Sequence, residues 1–311
     1  MTDVHFFVPP GIRGMFGKRA LGLANLYAMG RRNYFDAHEV VERAVADAQQ
    51  FDADAFVMTG DLTAMSSQVE FEDARAAFGP LLDSLPSVVI PGNHDVYTRG
   101  SSKSARMERT FGPWMAGGIW DADAGRWEGG ASLKPGHGVP WPVRFRLGDT
   151  DFIATNPCRP GLRASGRFGP EALASARELV AESRAAGQQV VFLLHYPPLD
   201  EEGAPYRRAG HCIDDVDGLL EAFEVEPPSL ILHGHRHHAW RVDLAATGQR
   251  VPILNCGTTS AISPLQDRTA GYYIIELEGG ELRSVRRRIL LAGSESFSDH
   301  PSTWEGRETA S

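Results

Sequence analysis

Apolar residues fall in short runs along the chain, and most of these runs stop abruptly at polar side chains. "AFVMTGD" (55–61), "SVVIPGNHD" (87–95), "QVVFLLH" (189–195) and "SLILHGHRH" (229–237) share this shape. "VPILNCG" (251–257) and "GYYIIELEG" (271–279) add two more apolar runs. Continuous runs of this length predict strands buried on both faces. Between them the period becomes helical. In "FDAHEVVERAVADAQQ" (35–50), Asp36 and Glu39 make a capping-box-like start, and Val40, Val41, Ala44, Val45 and Ala48 form one stripe. "PEALASARELVAESRAAG" (170–187) opens on proline and closes on glycine, and "DDVDGLLEAF" (214–223) is a shorter third helix. Strand–helix alternation predicts a layered α/β domain.

The domain is expected to run over residues 1–293. Residues 112–142, rich in Gly, Pro and Trp, read as an insertion that leaves the core. The polar, patternless stretch 294–311 reads as a disordered tail. With 311 residues and a net charge of −9, a surface for nucleic-acid polymers is not expected, since phosphate contacts need clustered positive charge. Cys158, Cys212 and Cys256 are too scattered for a zinc cage or a disulfide framework and suit a reducing compartment. No run reaches the ~18 apolar residues of a membrane span. "KRALGLANLYAMG" has a signal-like basic and apolar composition but begins too far in, and cleavage after it would discard Asp3 and His5. A cytoplasmic location is the expectation.

The chemistry gathers where the strands end. "TDVH" offers Asp3 and His5, "TGD" Asp61, "GNHD" Asn93 and His94, "LLHYPP" His195, and "HGHRH" His233, His235 and His237. In α/β sheets, ligands bind beyond the carboxyl ends of the strands. Each cluster alone reads as a cap, a turn or a packed histidine; five in one chain do not. Oxygen and imidazole donors without thiolate suit Mn, Fe or Zn. Two such ions about 4 Å apart activate water and neutralise a phosphoryl oxygen.

These motifs resemble those of the calcineurin-like metallophosphoesterases, which run D-x-H, G-D, G-N-H-D/E, H and G-H-x-H. Here they are "DVH" (3–5), "GD" (60–61), "GNHD" (92–95), His195 and "GHRH" (234–237), in order. The likeness is greatest to the bacterial phosphodiesterase branch that contains the class III cyclic-nucleotide phosphodiesterases. The resemblance implies a four-layer α/β/β/α sandwich and two divalent ions. One would be held by Asp3, His5, Asp61 and His237, the other by Asp61, Asn93, His195 and His235, with Asp61 bridging. It further implies a metal-bridging hydroxide as nucleophile and His94 as the residue that acts on the phosphoryl group or leaving oxygen. Asp95 is expected to orient an imidazole or backbone. Gly257 and Thr258 read as structural, His233 and His238 as packing or rim residues, and His211 and His137 have no motif support. Only Met1 and Thr2 precede Asp3, where the family has a longer apolar strand, so weak seating of Asp3 and His5 is expected.

The substrate expected is a small phosphoester. Residues 11–35 read as a basic and apolar cap, with Arg13, Lys18, Arg19, Arg31 and Arg32 around "ALGLANLYAMG". It could pack as an ordinary helix, bind the organic part of the substrate, or touch anionic lipid through 13–32. Lipid contact would favour a lipid-linked pyrophosphatase similar to the UDP-diacylglucosamine hydrolases. A scaffold without catalysis is the remaining alternative. "YRRAG" (206–210) offers Arg207 and Arg208 as phosphate-side contacts or as a solvated pair.

Overall fold

The computed structural model describes residues 1–9, 37–133, 138–161 and 163–301. The predicted strands form where the apolar runs lie. They are β1 (Phe56–Met58), β2 (Ser87–Val89), β7 (Gln189–Leu193), β8 (Leu230–His233), β10 (Gln249–Cys256) and β11 (Gly271–Glu278). Between them the chain adds β3 (Gly118–Asp121), β4 (Arg126–Glu128), β5 (Val143–Leu147), β6 (Thr150–Ala154) and β9 (Ala239–Ala246). After β11 come β12 (Glu281–Ile289) and β13 (Ser298–Asp299). An eight-stranded sheet has the order β4-β3-β5-β6-β7-β8-β10-β9. A second layer holds the parallel pair β1-β2 and the antiparallel set β11-β12-β13.

The central strands are apolar throughout because both of their faces are covered. Along β7, Val191 and Leu193 enter the core that holds Met58, Val88 and Val285 of the other sheet. Val190 and Phe192 point the opposite way, to Ala176, Val180, Leu219 and Phe223 of the helices Pro170–Ala185 and Val216–Val225. β11 repeats the device: Tyr272 and Ile274 meet Val40 and Ala44 of the helix Ala37–Ala48, while Tyr273 and Ile275 face the inter-sheet core. A further helix, Gln68–Leu82, adds Phe71, Ala74 and Phe78 on the same outer side as Ala37–Ala48. The layers are therefore helix, sheet, sheet, helix, the α/β/β/α sandwich.

Several sequence expectations need correction or limits. The described parts of the stretch 112–142 stay with the core. Its β3–β4 hairpin extends the large sheet through β3–β5 pairing, and Trp127 packs on Phe145 and donates from its indole to the Ser87 carbonyl at 2.9 Å. Nor does order end at Ser294. Phe297 is 5% exposed against Tyr272, and β13 pairs with β12, with Arg288 bonded to Asp299 and to the Phe297 carbonyl. One aromatic anchor and one arginine hold this polar run. The cap segment 11–35, with its five basic residues, and Asp36, His137 and residues 302–311 lie outside the described residues.

The short N-terminal run is seated from both sides despite its length. Thr59 donates to the Met1 carbonyl, Asp3 to Gly60, and Val4 and His5 to Asp61, at 2.8 to 3.1 Å. On the other flank Thr2 and Thr259 exchange hydrogen bonds, and the Thr258 and Ser260 hydroxyls donate to the Asp3 and Val4 carbonyls. The weak seating expected for Asp3 and His5 is not found, because residues 2–6 are fully or almost fully buried between β1 and the loop after β10. Thr258 has a structural role here, its hydroxyl joining the Asp3 carbonyl to the N–H groups of Ser260 and Ala261.

Candidate metal centre

Each of the five polar clusters lies just past a strand or on the 1–6 run, and the backbone there turns sharply. Asp3, His5, Asp61, His235 and His237 all have φ between 53° and 76°. Non-glycine residues rarely adopt this left-handed conformation, and where they do it commonly marks a functional site. The glycines beside them serve close approach. A Cβ on Gly92 would stand 2.1 Å from the Asp61 carboxylate, and one on Gly234 would stand 2.1 Å from the Thr2 hydroxyl and 2.4 Å from Asp3 Oδ2. The loops after β1 and β2, and the 1–6 run with the loop after β8, interlock only as glycines.

The side chains converge on two groups that share Asp61. Asp3, His5, Asp61 and His237 bring one donor atom each within 4.8 Å of one another, as do Asp61, His195 and His235. His5 Nε2 is 3.0 Å from His237 Nε2, and His237 Nε2 is 3.2 Å from Asp3 Oδ1. Asp61 Oδ2 lies 3.6 Å from His5 Nε2 and 3.2 Å from His195 Nε2. Asn93 lies in the loop after β2, where the next residue, His94, donates its backbone N–H to Asp61 Oδ1 at 2.8 Å.

A surrounding layer fixes these donors. Asp3 Oδ2 accepts from the Thr2 hydroxyl (2.7 Å) and the His235 N–H (2.8 Å), turning Oδ1 to the cluster. His195 Nδ1 donates to the Thr59 carbonyl at 2.8 Å, which turns Nε2 toward Asp61. His94 is held likewise, Nδ1 to the Ala64 carbonyl at 2.8 Å, with Tyr97 stacked on its ring at 5.4 Å. Asp95 fulfils the backbone half of its expected role. Its carboxylate accepts from the Leu62, Thr63 and Gly92 N–H groups and the Thr63 hydroxyl, tying the β1 loop to the β2 loop.

Burial and charge set the protonation states. Burial, helped by the charges of His5 and His237, drops His94 to about 4 against the pull of Asp61, so its imidazole is neutral. Burial and the charge of Asp61 push Asp95 up to about 6. For Asp61 burial is the largest influence and raises it, yet His195, His94 and His5 together hold it well below the carboxylate range.

The donor set fits divalent cations. Asp3 Oδ1, Asn93 Oδ1 and His195 Nε2 are buried and make no hydrogen bond of ordinary geometry among the described residues, the first and last having only the ion-pair contacts to His237 and Asp61. Buried polar atoms left this way call for a partner, and a cation supplies one to all three. The Nε2 atoms of His5 and His237, 3.0 Å apart, are likewise placed for a shared positive centre. Over residues 1–239 the sequence matches the family described as Calcineurin-like phosphoesterase. The chain belongs to that family. Calcineurin-like phosphoesterases use dinuclear metal centres and hydrolyse phosphoesters, which the shared Asp61 accommodates.

Solved structures agree on the fold. A dimetal phosphatase from Danio rerio superposes with a TM-score of 0.53 at 12% identity, over 83% of this chain and 85% of that one. A structure of PhoD does so with a TM-score of 0.57 at 10% identity, over 85% of this chain and 66% of that one. No curated protein matches this chain in sequence.

All eight predicted site residues stand in this one region, and the other histidines sort by contact. His233 is buried against Trp240 with Nδ1 on the Gly234 carbonyl, and His238 pairs with Glu201 at 2.6 Å. Both are packing or rim groups, as expected. Sequence reasoning missed Tyr97 on His94, Tyr196 at 4.7 Å from the His235 ring, and His211 at 6.1 Å from it. Tyr196 directly follows His195 and Tyr97 lies two residues past the "GNHD" motif, so both could have been found there; His211 sits in a loop with no pattern.

Proposed function

We propose that this chain is a phosphodiesterase working with two divalent ions of the Mn, Fe or Zn class. The observation that carries the reading is the pair of donor groups sharing one buried carboxylate, Asp61. Asp3, His5, Asp61 and His237 would hold one ion, and Asp61, Asn93, His195 and His235 the other. When bound, the ions supply an activated water and positive charge for the phosphoryl oxygens. The remaining work belongs to the chain. Asp3 and Asp61 set the centre's charge. His195 and His94 each hold a carbonyl through Nδ1, leaving His94 Nε2 to meet the phosphoryl group or the leaving oxygen. Tyr97 and the T-shaped contact with His5 at 4.7 Å keep that ring in place.

The preference for diesters rests on the motif likeness to bacterial phosphodiesterases. The three unpaired cysteines are in keeping with a reducing, cytoplasmic setting, and no helix among the described residues is long and apolar enough to cross a membrane. The test is hydrolysis of bis(p-nitrophenyl) phosphate against p-nitrophenyl phosphate, after chelation and after return of Mn²⁺. Metal-restored diester activity that collapses in His94→Ala supports the reading. Monoester activity alone would replace phosphodiesterase with phosphatase. Inactivity on both esters with metal bound would favour the pyrophosphatase or scaffold alternatives.

A further inference from the structure

The loop between β7 and the helix Val216–Val225 leans over the His235 side of the centre. His211, exposed, brings its ring to 6.1 Å from that of His235. Arg236, the variable position inside "GHRH", cannot point inward with its two neighbours. Its guanidinium lies over the ring of Tyr206, 5.3 Å from the centroid. Tyr206 is 7% exposed, and its hydroxyl makes no hydrogen bond of ordinary geometry among the described residues. Arg208 lies two residues past Tyr206, in a turn closed by the His211 N–H donating to the Arg208 carbonyl at 2.9 Å, so it shares this loop with His211.

The charges around this rim are not cancelled locally. Among the described residues Arg208 and Arg236 form no ion pair with a carboxylate. Arg207 differs, since it is paired with Asp217 on the surface, which fits the solvated-pair reading of its side chain. The Glu201 carboxylate, in the same loop, is held by His238. Two unpaired guanidinia and an imidazole thus border the site of a chain whose net charge is −9. Planar guanidinium donors match phosphate and carboxylate oxygens, and a cation left without a partner at a cleft mouth is suited to one.

We propose that Arg208, Arg236 and His211 form an anion subsite beside the metal centre, which takes a second phosphate or carboxylate of the substrate. The inference builds on the phosphodiesterase reading and narrows it to esters that carry a further anionic group, such as nucleotides phosphorylated twice. Tyr206 acts as the platform that holds Arg236 at the rim.

The test is a binding measurement on Mn²⁺-loaded protein, comparing thymidine 3′,5′-bisphosphate with thymidine 5′-monophosphate by titration calorimetry. The bisphosphate is expected to bind about tenfold more tightly, as charge-assisted hydrogen bonds at a partly exposed site allow. That advantage should shrink to about twofold or less in Arg208→Gln and in Arg208→Gln/Arg236→Gln. Arg208→Gln keeps the test valid if altering the ligand turn at Arg236 lowers metal content, which is measured for each protein. Equal affinities in the wild type, or an advantage kept in both variants, would overturn the subsite. Bis(p-nitrophenyl) phosphate turnover separates the two ideas. Turnover without the advantage sinks the subsite alone, while the advantage without turnover leaves the subsite and sinks the phosphodiesterase reading.

Discussion

Asp95 sets a conflict whose outcome can be worked out. It is 2% exposed and accepts four hydrogen bonds at 2.9 to 3.2 Å. Counting those bonds alone, replacement by Asn should cost the protein about 3 kcal/mol or more, because an amide N–H₂ cannot accept from the N–H groups it would face. Yet burial and the charge of Asp61 outweigh the same bonds and push the carboxyl from its ordinary 3.8 to about 6. A displacement of that size means that the folded, metal-free state holds ionised Asp95 at a cost of about 3 kcal/mol at pH 7. Asn has the shape of the neutral acid, so metal-free Asp95→Asn should be more stable than wild type by about 3 kcal/mol at pH 7.

The sign with pH follows from proton uptake. Since the folded carboxyl binds its proton more tightly, its contribution to stability is present below 3.8 and lost as pH climbs through about 6. The gap between variant and wild type should therefore be smaller at pH 5, widen to about 3 kcal/mol near pH 7, and level off above that. Urea melts of chelated protein across this range measure it. Divalent ions beside Asp61 would favour the Asp95 charge, so with Mn²⁺ the gap should narrow or invert, and metal affinity of the variant should fall about tenfold. Metal-free Asp95→Asn that is less stable than wild type at pH 7 would refute the reasoning and return the balance to the hydrogen bonds.

His94→Ala should lower kcat for bis(p-nitrophenyl) phosphate by about 10²- to 10⁴-fold while metal content, read by elemental analysis, is unchanged. Gly92→Ala should empty the centre, since its Cβ would displace the Asp61 carboxylate 2.1 Å away; a variant with full metal content would contradict the interlock. Phe297→Ala should destabilise by about 3 kcal/mol in thermal melts, whereas a loose tail would show no change. Metal-free His237→Gly should be more stable than His237→Ala by about 1 kcal/mol, because only glycine adopts φ near 55° freely.

The site was more legible than much of the fold around it. Its residues are contiguous motifs at the ends of apolar runs, and a run such as 189–194 needs no partner to be seen as a strand. What escaped was structure that breaks its own pattern. β12 alternates, but one inward position is Arg287, 4% exposed, whose guanidinium is taken up by the carbonyls of Gln266, Asp267 and Thr269. Gln68–Leu82 has a full capping box at Ser67 and Glu70, yet Gly79 and Pro80 in its last turns disguise it as a loop. The sharing of Asp61 depends on which loops meet in space, and spacing along the chain does not contain that; only the family resemblance implied it.

The same geometry explains why the loops of this centre are so tightly bonded. Five left-handed residues at about 1 to 2 kcal/mol each store strain comparable with the whole net stability of a typical domain. Such a conformation persists only where the surroundings determine it. Here the N–H groups of Asp3, Val4 and His5 are held by the Gly60 and Asp61 carbonyls, Asp95 joins the two loops, and Thr258 and Ser260 close the far side. The turns bring Oδ1 of Asp3 and the Nε2 atoms of His5 and His237 together, an arrangement that suits cations. Because the sandwich and these clamps already fix the turns, most of the reorganisation is complete before metal arrives. The free energy of metal binding is then available to hold substrate-facing charge rather than to fold the loops.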